Sequence, residues 1–70
     1  MLIIWGNGIN LDGLESKEAV VFRGKESYRG VLRHSPNGVP CLYGCAVTEN
    51  NIGEARLYTL QQGDVLALPQ

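Results

Sequence analysis

Residues that turn or stop a backbone interrupt this chain at short intervals. Gly24-Lys25-Glu26 comes first, then the run His34–Pro40 with its Asn37-Gly38 pair, then Glu49-Asn50-Asn51-Ile52-Gly53, and last Gln62-Gly63-Asp64. Between these breaks no window repeats apolar residues at i, i+3, i+4 and i+7 for more than about one helical turn. What remains are short runs rich in β-branched and aromatic residues: Glu18–Arg23, Ser27–Arg33, Cys41–Thr48, Ala55–Gln61 and Val65–Leu68. Runs of this kind joined by hairpin-length connections read as consecutive antiparallel strands. The expectation is an all-β chain, a five-stranded, strongly bent antiparallel sheet curled into a small open barrel that buries its inner face. Pro69 ends the fifth strand by removing a ladder donor.

The chain reads as one domain, with residues 1–17 a variable N-terminal extension and 18–69 the barrel. Met1–Trp5 fits a short strand, and Asn10–Lys17 fits a single helical turn capped by Asn10 or Asp12 and weakened by Gly13. Gly30, in the middle of the second strand, is informative because a strand-interior glycine costs stability and marks a sharp bend or a close backbone approach.

A 70-residue chain buries only about 60% of its unfolded surface on folding alone, so a disulfide, a metal or a partner subunit is expected to supplement the core. Cys41 and Cys45 are the only cysteines. On one strand they share a face roughly 13 Å apart, beyond the ~7 Å that a disulfide tolerates. With one histidine, His34, and no second cysteine pair, no tetrahedral zinc set exists either. No cofactor is expected, and the two cysteines read as half-buried free thiols. No run approaches the ~18 apolar residues of a membrane span, and Met1–Trp5 lacks the basic start and length of a signal peptide, so a cytoplasmic location is expected. Self-association is the remaining supplement.

The net charge of −1 argues against a nucleic-acid binder that works through bulk electrostatics. Arg23, Lys25, Arg29 and Arg33 nevertheless cluster, preceded by Asp12, Glu15 and Glu18. Catalysis is not expected: the single His has no Ser or Cys partner at recognisable spacing, Gly6-Asn7-Gly8 is too short to cradle a phosphate, and no metal cluster is present.

Tyr28-Arg29-Gly30-Val31-Leu32 in the second strand resembles the first motif of the Sm-like family, the small barrels that include the bacterial Hfq proteins. Leu60-Gln61-Gln62-Gly63-Asp64-Val65 is similar to its second motif, a very short turn framed by aliphatic residues. The resemblance runs from about Glu18 to Pro69. It departs from the family in three places: the first turn is one residue longer, the family's Asp and Asn after the second strand give way to His34, Ser35 and Asn37, and its Arg-Gly gives way to Gln61-Gln62.

The resemblance implies a homo-oligomeric ring in which the fourth strand, with Leu57, Tyr58 and Leu60, pairs with the fifth strand of the next copy, with Val65, Leu66 and Leu68. It implies single-stranded RNA near the pore. There His34 or Pro36 would stack a base, Asn37 would hydrogen-bond a base edge, and Gln61, Gln62 and Asp64 would make polar contacts in a ring of repeated sites, with Ser35 and Gly63 also among the RNA-binding residues. Two other readings remain. One is a protein-interaction ring or adaptor without nucleic acid, which the near-neutral charge favours. The other is a swapped-hairpin DNA-binding antitoxin, whose Trp-Gly-Asn opening Ile4-Trp5-Gly6-Asn7 resembles but whose following helix is missing.

Overall fold

The computed structural model describes residues 1–47 and 54–69; the expected turn Glu49–Gly53 lies outside the described residues. Six strands form one antiparallel sheet: β1 (Leu2–Ile4), β2 (Glu18–Arg23), β3 (Glu26–His34), β4 (Pro40–Val47), β5 (Arg56–Thr59) and β6 (Val65–Ala67). Their spatial order is β1-β6-β2-β3-β4-β5. The five runs read from sequence are β2 to β6, within one or two residues at each end. Leu2–Ile4 adds a sixth strand. Asp12–Ser16 forms turns rather than a helical turn, and among the described residues there is no helix, hence none long and apolar enough to cross a membrane.

The sheet curls hard but does not close into a barrel. In a flat sheet with this register, Arg23 at the end of β2 and Thr59 at the end of β5 would stand roughly 28 Å apart, three strand spacings across and seven residues along. Instead the Arg23 guanidinium donates to the Thr59 carbonyl at 3.0 Å. Tyr28 of β3 and Tyr58 of β5, two strands apart, likewise meet with ring centroids 4.4 Å apart. Among the described residues no ladder joins β5 to a further strand, so β5 and β1 are the two edges of the sheet.

Curling of this degree depends on Gly30 and Gly44, which face each other across β3 and β4. A Cβ on Gly30 would lie 2.6 Å from the Gly44 Cα and closer still to the Tyr43 carbonyl oxygen. Neither glycine has positive φ, so the need is for space rather than for an unusual backbone conformation.

Alternation sorts the side chains. Ile3, Trp5, Ala19, Val21, Tyr28, Leu32, Leu42, Tyr58, Leu60, Leu66 and Leu68 point inward, and all but Ile3 and Tyr58 are buried. Residues 1–17 are more than an extension. Trp5 and the fully buried Leu11 belong to the core, and Lys17 and Ser16 exchange backbone hydrogen bonds with Leu32.

Val65–Leu68 is not free to pair with the fourth strand of a neighbouring copy, as the expected ring requires. β6 is an interior strand with β1 on one side and β2 on the other, and Met1 extends the ladder by bonding Leu68 in both directions. Leu60, Leu66 and Leu68 fill this chain's own core, and Tyr58 stacks on Tyr28. The sequence could not reveal this, because nothing local to VLAL specifies that a run more than sixty residues upstream covers it.

Candidate functional site

Two loops meet at one end of the sheet. The Leu60 amide donates to the Pro40 carbonyl at 3.1 Å, which sets the β3–β4 loop beside the β5–β6 turn. The first loop is built by Ser35. Its hydroxyl accepts from the Asn37 and Val39 amides at 3.3 and 3.1 Å, its amide and carbonyl bond Val39 and Gly38, and Gly38 takes φ 82°. Asn37 is thereby left exposed at the apex, its side chain without a hydrogen-bond partner among the described residues. His34 closes β3, half-exposed, with Nδ1 paired to the Glu15 carboxylate from the N-terminal turn.

The second turn is held from below. Asp64 is 2% exposed; its carboxylate accepts from Arg23 Nε at 2.9 Å and Nη2 at 2.8 Å, and from the Gln61 amide at 2.9 Å. Burial alone would raise the Asp64 pKa. The Arg23 hydrogen bonds, the Gln61 amide and the guanidinium charge overcome burial and hold it below the ordinary aspartate value. The Arg23 guanidinium also lies 5.3 Å from the Tyr28 ring centre.

Asp64 is therefore not a ligand contact but the anchor of the turn, a correction to its sequence-based role. Gln61, Gln62 and Gly63 are exposed around it, Gly63 with φ 93°.

The structure brings forward two residues that the motif comparison passed over. Arg33 and Tyr43 share the outward face of β3 and β4, and the guanidinium carbon lies 5.7 Å from the Tyr43 ring centre. With His34, Ser35, Pro36 and Leu57 they line a shallow groove of about 260 Å³. Tyr43 and Leu57, both 44% exposed, sit opposite each other across β4 and β5. The signal available in the sequence was the odd-position alternation in Cys41-Leu42-Tyr43, which puts Tyr43 opposite in face to Leu42; without the register it could not be joined to Arg33.

The basic cluster divides. Arg23 is consumed by Asp64, while Arg29 and Arg33 face outward and are exposed. Cys41 and Cys45 are free thiols, the first buried and the second half-buried. Among the described residues no group of three His, Cys, Asp or Glu side chains is placed to hold a metal ion.

No protein-family model, curated protein or solved structure matches this chain, so the Sm-like resemblance stands on the two motifs alone.

Proposed function

We propose that the chain is a self-associating module that binds single-stranded RNA on the outward face of β3, β4 and β5, where the Ser35–Val39 loop and the Gln61–Asp64 turn adjoin. The observation that carries this reading is the Arg33–Tyr43 pair beside His34, Pro36 and Leu57. An exposed aromatic ring with an arginine over it offers a base a flat stacking partner and its phosphate a cation, the combination on which single strands are held without sequence-specific pairing. Asn37, Gln61 and Gln62 are exposed on the two adjoining loops and carry amide donors and acceptors. The His34 ring, already paired with Glu15, serves the platform as a wall rather than as a phosphate ligand.

Affinity is expected to be modest. Only Arg33 lies at the platform in each copy, so the slope of log affinity against log salt should be shallow, about −0.7 for one phosphate. Fluorescence anisotropy with short uridine- or adenine-rich oligonucleotides at low salt is the test. Tyr43→Ala should weaken binding by about tenfold or more, in line with ~1–3 kcal/mol for a base–aromatic stack. Arg33→Ala should weaken it and flatten the salt slope. Double-stranded DNA should bind no better than the single strands. Absence of binding by the wild-type chain at high micromolar concentration would sink the RNA reading.

The assembly implied by the resemblance needs revision. Since β6 already has two neighbours, a head-to-tail ring would have to join β5 of one copy to β1 of the next, the two strands with an open edge. The protein-interaction reading draws support from a separate observation, the apolar outward face of β1, β6 and β2.

A further inference from the structure

The part of the sheet formed by β1, β6 and β2 is apolar on both faces. On the outward side, cross-strand registry lines up Leu2, Ala67, Val20 and Arg29 in one row and Ile4, Val65, Phe22 and Ser27 in the next. Leu2 is 71% exposed, Ile4 70% and Phe22 45%. The same duality is written in the strands themselves: Glu18–Arg23 and Val65–Leu68 carry unbroken apolar stretches, the pattern of strands covered on both faces. A monomer covers only one of them.

We infer that this outward face of β1, β6, β2 and the first half of β3 packs against the same face of a second copy, forming a two-fold dimer. The inference deepens the self-association part of the function proposed above and is independent of the RNA part. Three features of the face fit a second copy. First, it holds both protrusions and a recess. Leu2, Ile4 and Phe22 project, while a depression of about 450 Å³ lies alongside, lined by Val20, Val31, Ala67 and Pro69 with Glu18 and Arg29 at its rim. A two-fold contact requires one surface to carry both halves of such a fit.

Second, the face bears one acidic and one basic side chain, Glu18 and Arg29. An axis passing between them sets Glu18 of one copy over Arg29 of the other, so the charges complement rather than repel. Third, the size is right for a reversible pair. Four strands about 4.8 Å apart and three to six residues long, with side-chain relief, bury on the order of 500 Å² per copy, about 1,000 Å² in all, the lower bound of a specific interface.

The dimer leaves the RNA platform free. Tyr28 and Tyr58 meet on the inner side, so the two halves of the curled sheet face each other there. Their outward faces, one with Phe22 and the other with Tyr43, are turned apart.

Sedimentation equilibrium of the full chain from low to several hundred micromolar tests the inference. The apparent mass should rise from 7.6 kDa toward twice that value. Phe22→Glu and Ile4→Lys, each at an exposed position, should retain the circular dichroism of the wild type and weaken the dimer at least tenfold. Glu18→Arg should weaken it, and adding Arg29→Glu should restore it. The same samples, titrated with oligonucleotide, should keep the Tyr43-dependent RNA affinity per chain, which separates failure of the interface from failure of the RNA reading. A chain that stays monomeric throughout would overturn the inference and leave the face to a different protein. An oligomer insensitive to Phe22→Glu and Ile4→Lys would overturn it in favour of the β1 and β5 edges.

Discussion

Replacing Gly30 with alanine is expected to destabilise the protein by about 3 kcal/mol or more, and valine by more still, because the first carbon added already collides with backbone. That carbon would come within 2.6 Å of the Gly44 Cα, and backbone in the middle of two ladders cannot step aside as a flexible side chain can. The sign is diagnostic. In an ordinary strand, glycine to alanine stabilises by roughly 0.5–1 kcal/mol through the entropy of the unfolded chain.

A 70-residue domain has a total stability of only about 4–10 kcal/mol at the usual ~0.05–0.15 kcal/mol per residue. A loss of 3 kcal/mol should lower the unfolding midpoint by about 12–24 °C. Trp5, the single tryptophan and 8% exposed, reports unfolding by fluorescence. Gly44→Ala should behave alike, since its added carbon would meet the Arg29 carbonyl group and the Gly30 Cα. A midpoint equal to or above wild type for either variant would mean that β3 and β4 do not approach as closely as described.

The second large effect belongs to Arg23. Truncating it to alanine leaves the buried Asp64 carboxylate with the Gln61 amide as its one remaining donor among the described residues, and removes the link to Thr59 that holds β2 against the end of β5. Breaking a buried pair from this side is expected to cost about 3–5 kcal/mol. Asp64→Asn should cost less. The amide oxygen can still accept from Gln61, and the surviving guanidinium, a quarter exposed, can return to water.

The two proteins should also respond oppositely to acid. In the wild type the folded Asp64 pKa lies below its unfolded value. The ion pair therefore contributes its full stability above the ordinary aspartate range, and that contribution is lost as pH falls from there through the depressed pKa. In Arg23→Ala, burial acts without its counterweight and raises the Asp64 pKa. The penalty is then greatest at neutral pH and is relieved as the carboxyl protonates on acidification. Urea unfolding across pH 3–7 reads this directly. Parallel pH profiles for the two proteins would show that Asp64 does not carry the pairing.

Strand positions were legible because their causes are local. Pro36, Asn37-Gly38 and Gly63 punctuate the chain whatever the tertiary context, so β2 to β6 fall within a residue or two of the expected runs. Gly30 was legible as a place where backbones approach, though not that Gly44 is its counterpart. The pairing order was not legible. β1 is three residues long, too short for alternation to declare it, and it pairs with a strand at the opposite end of the chain. The same distance hid Asp64, which beside Gly63 looks like any exposed turn residue until Arg23, 41 positions earlier, is brought beneath it. Tyr43 and Arg33 were hidden by register: each is visible as an outward residue of its own strand, but only the ladder makes them neighbours.

The most direct test of the proposed RNA platform is a residue-resolved titration, ¹⁵N–¹H correlation spectra of the labelled chain with a short uridine-rich strand at low salt. The amides of Arg33, His34, Ser35, Tyr43 and Leu57 should shift together along one saturating curve, with Asn37, Gln61 and Gln62 beside them, while those of Val20, Phe22 and Val65 stay in place. Shifts concentrated instead on β1, β6 and β2, or no shifts at all at high micromolar strand, would contradict the assignment of the Arg33–Tyr43 face.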